Sequence, residues 1–533
     1  MNVSTIIAVI LLWIGLLTSI FAAKHALHMF QQNRYELNRY LSWMWQFQNG
    51  NAKNIIIFCF SVLFWFFLFL VTNDGSVLQA TLIILICVVI FFWNFLKEKN
   101  IVYIKPLIYT ARVKRQTAVL FVVSIVILVS VYFVVPANYW WVYFVCIKVL
   151  PWLIIIPVHW ITLPIEGLIK KFYLQKAKTI LKSYPHLIKV GITGSYGKTS
   201  SKNVLHNVLS EKYYTLMTPA SFNTPMGITI TIRTLLKSIH QVFVVEMGAD
   251  KVGEINYLTK FVKPQYGVVT SIGPQHLNTF KTLDNIIKEK MKMVENLAED
   301  GVGFLNKDNE NIRNYTIKNT CKIVWFGIQE EDVDYRAVDI KYGPYGSKFK
   351  VVTRNQEVHT FESRLLGEHN VMNILSAIAV GCELGISWQQ LQRAVHNVRF
   401  IEHRLELKKI NGFTFIDNGF NSNPSGSKMS LDVLSKMPGK RIVITPGMID
   451  LGEQQQQANQ EFGKYMLGKA DLVLLVGLVQ SEDIRRGLEE VGFNMEQVIT
   501  FKTVVEAFNY IYQNASYEDT ILIENDLPDA FNR

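Results

Sequence analysis

The chain has 533 residues, of which 50% are hydrophobic and 18% charged, with 54 Lys and Arg against 43 Asp and Glu. That length exceeds one domain, and a mean hydropathy of +0.19, with the apolar excess before residue 165, is too high for an ordinary soluble enzyme. The net charge of +11 is not gathered into the dense patch a nucleic acid would need, and Cys59, Cys87, Cys146, Cys321 and Cys382 lack the spacing of a disulfide or zinc framework.

Five apolar segments, at 3–23, 54–72, 77–96, 117–135 and 139–161, approach the length of about 20 residues that crosses a bilayer. Lys24, Arg34, Arg39 and Lys53 follow the first, and Lys97, Lys99, Lys105, Arg112, Lys114 and Arg115 follow the third. The other two connections carry no Lys or Arg. The positive-inside rule then predicts an α-helical transmembrane bundle over 1–162, with all that follows in the cytoplasm. The expected location is a bacterial cytoplasmic membrane, multi-pass, with the membrane as a partner. The spans are nearly free of charge, Lys148 apart, which argues against an ion pathway. Residues 163–187 read as a basic amphipathic linker helix along the membrane surface.

From 188 onward apolar strands alternate with helical patterns, which predicts an α/β fold with a largely parallel sheet. GITGSYGKTSS at 191–201 lies between a strand and a helix, the context of a phosphate-binding loop. Gly194 and Gly197 let backbone N–H groups close around phosphate oxygens, and Ser195 and Ser200 belong to the same cradle. Lys198 brings a positive charge, Thr199 a hydroxyl for Mg²⁺, and the helix N-terminus favours the anion. Ile192 stands where the strict motif has its first glycine. QVFVVEMGA at 241–249 is a buried strand ending in Glu246, a carboxylate suited to share Mg²⁺ with Thr199. Asn223 and Thr224 sit in a Pro/Gly-punctuated loop, 218–228, and His276 follows the strand that begins near 266.

TGSYGKTS, VVEMGA, VTSIGPQHL and LLGEHNVMNILSA, in this order, resemble the Mur ligase family, ATP-dependent amide ligases of peptidoglycan precursor synthesis with folylpolyglutamate synthase as a relative. FIDNGFNSNPSGSKMSLDVL (415–434) and TPGMIDLGE (445–453) are most similar to the branch that adds D-alanyl-D-alanine. The resemblance covers about 188–533. It implies an ATP-binding central domain over 188–404 with a phosphate loop, and a Rossmann-like C-terminal domain over 405–533.

The resemblance also implies site roles. Lys198 and Thr199 are its phosphate-loop pair, Glu246 its magnesium ligand, and His276 a residue near a second magnesium. Lys290 matches a lysine that is carbamylated in many members; Lys288 and Lys292 are rival candidates, because Met291-Lys292 replaces the family's Gly-Glu. Asn306 is the candidate adenine contact. His369 and Asn370 fall near the nucleotide and acyl phosphate, Arg404 is the candidate phosphate clamp, and Asp417 the ribose contact. Asn223, Thr224, Asn421 and Asn423 are candidate substrate contacts.

The implied reaction joins a carboxylate to an amine through an acyl phosphate, with ATP and Mg²⁺, in peptidoglycan precursor or related peptide synthesis. The acceptor could be lipid-linked, since membrane spans stand where relatives keep a nucleotide-holding domain. A poly-γ-glutamate-type ligase is the alternative, or a non-catalytic or transport-linked nucleotide-binding membrane protein.

Overall fold

A computed structural model of the chain describes residues 23–45, 107–134, 150–343, 346–399, 403, 405–419, 423–449, 451, 454–477 and 479–525. The chain divides into two compact units, Met1–Phe172 and Tyr173–Arg533.

In the first unit helix is described over 23–32, in Leu37–Trp45, Ala111–Val134 and Leu150–Leu153, and at the beginning of Ile155–Lys182. Phe30, Tyr40, Leu120, Ile155 and Val158 form its core. The Phe30 and Tyr40 rings meet edge to face at 5.4 Å, and the Tyr40 hydroxyl donates to the Trp152 carbonyl at 3.0 Å. Arg115 Nε donates to Glu166 Oε1 at 2.7 Å.

The expected transmembrane bundle and membrane location are corrected here. Among the described residues no helix is long and apolar enough to cross a membrane. The expected span at 117–135 falls on Ala111–Val134, which opens on Arg112, Lys114 and Arg115 and sends Val113 and Leu120 into the protein core. The apolar part of Ile155–Lys182 ends at Glu166, and Pro164 lies within that helix. Hydropathy counts apolar residues without saying whether protein covers them. The expected spans 54–72 and 77–96, with 3–22 and 139–149 of two others, lie outside the described residues. Helix Ile155–Lys182 carries most of the expected linker. On its later turns Leu174, Ala177 and Leu181 are buried with Leu187, Ile228 and Ile232.

The second unit holds two sheets. The first comprises β1 (Ile188–Thr193), β2 (Thr215–Met217), β3 (Val242–Glu246), β4 (Tyr266–Val269), β5 (Val302–Asn306), β6 (Lys322–Gly327), β7 (Tyr335–Gly343), β8 (Gly346–Thr353) and β9 (Val358–Ser363), in the order β2-β3-β1-β4-β5-β6-β7-β8-β9. Pairing is parallel through β7 and antiparallel from β7 to β9. Residues two apart share a face. Val242 and Val244 therefore enter one core with helices Lys198–Leu209 and Glu368–Glu383, while Phe243 and Val245 enter the other with Ile255, Leu258 and Met293. Burial on both faces explains why β3 reads as an unbroken apolar run. The register pairs Ile192 with Glu246, so the phosphate loop and the carboxylate leave the sheet side by side.

The second sheet comprises β10 (Glu406–Ile410), β11 (Phe413–Asn418), β12 (Arg441–Thr445), β13 (Leu472–Val476), β14 (Val498–Phe501) and β15 (Thr520–Glu524), in the order β10-β11-β15-β12-β13-β14. Only β10 is antiparallel to its neighbour. Open parallel sheets of this kind bind ligands at the carboxyl ends of their strands.

Candidate functional site

The loop after β1 is strapped to the segment after β4. Ser195 N donates to Ser271 O at 2.6 Å, Ser195 Oγ to Gly273 O at 2.9 Å, Tyr196 OH to Pro274 O at 2.9 Å, and Thr270 Oγ1 to Tyr196 O at 2.6 Å. Gly194 is required by this close approach, because a Cβ there would stand 2.2 Å from Thr270 Oγ1. Gly197, with φ 80°, turns the chain into helix Lys198–Leu209, whose first turn carries no side-chain cap. That leaves backbone N–H groups for an anion. Lys198 Nζ donates to Gly194 O at 2.7 Å and Ser195 O at 2.9 Å, folded over the loop it would share with a phosphate.

Glu246 is 1% exposed. Thr199 Oγ1 donates to its Oε1 at 3.2 Å and Asn223 Nδ2 to the same oxygen at 3.0 Å. Lys202 Nζ, also 1% exposed, lies 3.0 Å from Oε2 as an ion pair, yet among the described residues no donor meets Oε2 with hydrogen-bond geometry. A hard divalent cation suits this donor set. Carboxylate and hydroxyl oxygens converge, one buried carboxylate oxygen lacks a hydrogen bond, and Mg²⁺ commonly completes its shell with water and substrate phosphates. Among the described residues no group of three or more His, Cys, Asp and Glu gathers as an all-protein metal cage.

Lys290 lies on helix Leu283–Glu295 and is 1% exposed, with Nζ 3.4 Å from Ala249 O. Burial, followed by the charge of Lys198, pushes its pKa down to about 7, against the opposing pull of Asp250, Glu289 and Glu254. Its rivals are elsewhere: Lys288 pairs with Asp284 at 2.7 Å in solvent, and Lys292 with Glu295 at 2.5 Å. Glu289 accepts from Gly253 N, Ile255 N and Asn256 N and fastens the start of helix Glu254–Val262. His276, with φ 54°, faces Asp250 at 3.4 Å.

A cavity of about 490 Å³ opens beside the phosphate loop, lined in part by Gly197, Ser200, Thr270, Asn306, His369 and Asn370. Asn306 is fixed by donating to Thr270 O at 2.9 Å and accepting from Asp308 N at 3.0 Å. His369 is exposed in the cleft but crowded enough that desolvation holds its pKa below the ordinary histidine value. Asn370 Nδ2 donates to Leu366 O at 2.8 Å. Asn373, one turn on, accepts from Ser201 Oγ at 2.8 Å and ties this helix to the phosphate-loop helix.

The second sheet contributes Asn418, Asn423 and Leu405 to the same cavity. Asn423 also caps helix Pro424–Leu434 by accepting from Gly426 N at 3.0 Å. Thr224 is a cap too, accepting from Gly227 N at 3.3 Å, while its neighbour Asn223 reaches Glu246. Asp417 Oδ2 accepts from Lys408 Nζ at 2.7 Å and meets His403 Nδ1 at 2.8 Å, and Oδ1 accepts from Gly419 N at 3.1 Å. Burial raises the Asp417 pKa, but Lys408, Gly419 and His403 outweigh it and hold the carboxyl below its usual range. Arg404 and Asn421 lie outside the described residues.

Sequence reasoning missed three residues. Lys202 carried one signal, its spacing of four from Lys198, which puts it on the same helix face. Asn373 and Asn418 carried none, because each acts through partners distant in the chain.

The folds and motifs agree with known proteins. Residues 192–381 match the Mur ligase middle domain, and residues 403–524 match the Mur ligase, glutamate ligase domain. The chain belongs to the Mur ligases, ATP-dependent enzymes that form C–N bonds. It is 27% identical over 354 residues to the UDP-N-acetylmuramoyl-tripeptide–D-alanyl-D-alanine ligase of Bacillus subtilis (strain 168), covering 66% of this chain and 75% of the relative. With the ligase of that name from Escherichia coli (strain K12) it shares 28% identity over 291 residues, 54% of this chain and 64% of the relative. MurF from Acinetobacter baumannii superposes with a TM-score of 0.60 at 24% identity, over 67% of this chain and 77% of that one. MurF from Thermotoga maritima, solved in complex with ADP, gives 0.60 at 22%, over 67% and 80%. The structural likenesses are likenesses of fold.

Proposed function

We infer that this ligase phosphorylates a substrate carboxylate with ATP and couples the acyl phosphate to an amine, in the making of a peptidoglycan precursor. One observation carries the reading: Lys198, Thr199 and Glu246 converge beside a cavity that the second sheet closes with Asn418 and Asn423. The carboxylate oxygen attacks the γ-phosphorus and ADP leaves. The amine nitrogen then attacks the acyl carbon, phosphate leaves, and the nitrogen gives up a proton. Loop N–H groups and Lys198 hold phosphate oxygens in line. Mg²⁺ held by Thr199 and Glu246 would neutralise charge on the triphosphate. His369, kept neutral by desolvation, is suited to take the amine proton.

Lys290 has a neutral amine within reach near neutral pH, the form that adds CO₂ to give a carbamate, and His276 lies near its carbonyl neighbourhood through Asp250. Ser195 and Ser200 complete the loop, and Asn306 and Asn370, which line the cavity, are the candidate nucleotide contacts. Arg404 retains the phosphate contact that the family resemblance gives it, and Asp417 the ribose contact. Asn223, Thr224, Asn421 and Asn423 remain the substrate contacts.

The D-alanyl-D-alanine-adding relatives favour UDP-N-acetylmuramoyl-tripeptide and D-alanyl-D-alanine as substrates. The family matches begin at 192, leaving the part that would hold a UDP-sugar unmatched, which favours testing acceptors without the nucleotide as well. Phosphate release is therefore measured with each carboxylate and amine alone and together, and the product is weighed. Turnover that needs both partners and yields an amide is expected. ATP hydrolysis indifferent to both would overturn the reading.

A further inference from the structure

Lys202 is a buried charge that this reaction does not use. It lies one helical turn beyond Lys198, is 1% exposed, and meets Glu246 Oε2 at 3.0 Å and Ala220 O at 2.5 Å. Ala220 sits at φ 42° in the segment that brings Asn223 to the other Glu246 oxygen. One ammonium thus anchors both the carboxylate and the loop that contacts it. Burying an ion pair is expensive, and apolar residues often serve stability as well, so the pair calls for a reason beyond stability.

The charges around it supply one. Lys202 already balances Glu246. Lys198 reaches over the loop, its Nζ donating to Gly194 O at 2.7 Å. A free divalent cation arriving at Glu246 would meet a carboxylate already neutralised, with the Lys198 ammonium on the adjoining loop. A cation that arrives with a triphosphate brings its own excess of negative charge and reverses that balance.

We propose that Lys202 is the resident counter-ion of Glu246, so that the site takes a divalent cation only together with nucleotide phosphates. It presents Oε1 beside Thr199 and occupies Oε2. Lys202 is a positioning residue, acting through Glu246. The proposal rests on the reading of Glu246 as the metal-holding carboxylate.

Mn²⁺ binding to the full chain tests it, read by water-proton relaxation, which separates protein-held Mn²⁺ from Mn²⁺ on free nucleotide. The wild type is expected to bind Mn²⁺ at least tenfold more tightly with a non-hydrolysable ATP analogue than without. Lys202→Gln is expected to tighten nucleotide-free binding at least tenfold, whereas a merely structural lysine would weaken it or leave it alone. Equal wild-type affinity with and without the analogue overturns the proposal even if Lys202→Gln fails to fold. So does a folded Lys202→Gln protein whose nucleotide-free affinity is unchanged or weaker. The double variant Lys202→Gln/Glu246→Gln isolates the underlying reading: Mn²⁺ binding with the analogue that survives both changes removes Glu246 as the metal carboxylate.

Discussion

Two carboxylates end parallel strands in this chain, and both are buried. Glu246 closes β3 with 1% exposure, and Glu524 closes β15 with 0%. Glu524 is satisfied by neutral donors: Ser427 Oγ at 2.9 Å, Ser430 Oγ at 2.6 Å and Asn418 Nδ2 at 2.8 Å. They tie β15 to helix Pro424–Leu434 and to the end of β11. Glu246 instead has a buried ammonium, a hydroxyl, an amide and one oxygen without a hydrogen bond among the described residues. Strand-end burial is common to both, so the partners distinguish a fastener from a site. Three neutral donors hold a carboxylate in place, whereas a paired charge beside an uncapped helix start can trade partners when a phosphate arrives.

The largest test of that contrast lies next to Glu246. Lys198→Ala is expected to cut ATP turnover by about 10³-fold with a small change in melting temperature, because its ammonium sits over the phosphate loop, donating to Gly194 O and Ser195 O. Steady-state phosphate release and a thermal melt check it together. Full retained activity would remove the phosphate-loop assignment.

Glu524→Ala strands three donors and is expected to cost about 3 kcal/mol of stability in urea unfolding, while the folded fraction keeps its turnover. Loss of turnover without loss of stability would place Glu524 in the chemistry and collapse the comparison.

Glu246→Gln leaves Lys202 buried without its counter-ion and should lose both stability and about 10²-fold in turnover. Adding Lys202→Gln should restore stability but not turnover. A double variant that recovers both would show that the pair serves the fold alone.

Lys290 gives the smallest effect, a slope. Its pKa is about 7 in the folded chain against an ordinary 10.5, so between those values the unfolded chain binds more protons. Stability should therefore rise with pH across that window, by at most about 1.4 kcal/mol per pH unit, and be lost as pH falls toward 7. Lys290→Met should flatten the rise in pH-dependent unfolding curves. Separately, activity of the wild type depleted of CO₂ should return on adding bicarbonate, a rescue absent from the Met variant.

Much of the site was legible in local order. Gly-Lys-Thr after a strand located the loop, and the run ending in Glu246 located its neighbour, because both are set by residues close in sequence. The choice among three lysines was also within reach. Lys290 is four residues after Ile286 and three before Met293, on the buried stripe, whereas Lys288 and Lys292 share the opposite face. Other contacts were not legible: the strap of Ser195 to Gly273 and the link of Ser201 to Asn373 join residues that only folding brings together. The apolar first third was overread where it is described. Val113, Leu120, Leu174 and Ala177 have the hydropathy of membrane residues and the environment of a protein core.

By itself, then, the sequence determined the strand–loop–helix cradle, the alternation that makes parallel sheets, and the family. These follow from periodicity and from spacings of a few residues, which the backbone converts directly into geometry. Tertiary structure decided which charges are buried and which partners they meet. It paired Lys202 with Glu246, isolated Lys290 from solvent and gave Glu524 the hydroxyls of Ser427 and Ser430 and the amide of Asn418. Desolvation and pairing are properties of the packed surroundings, and those surroundings are assembled from segments far apart in the chain.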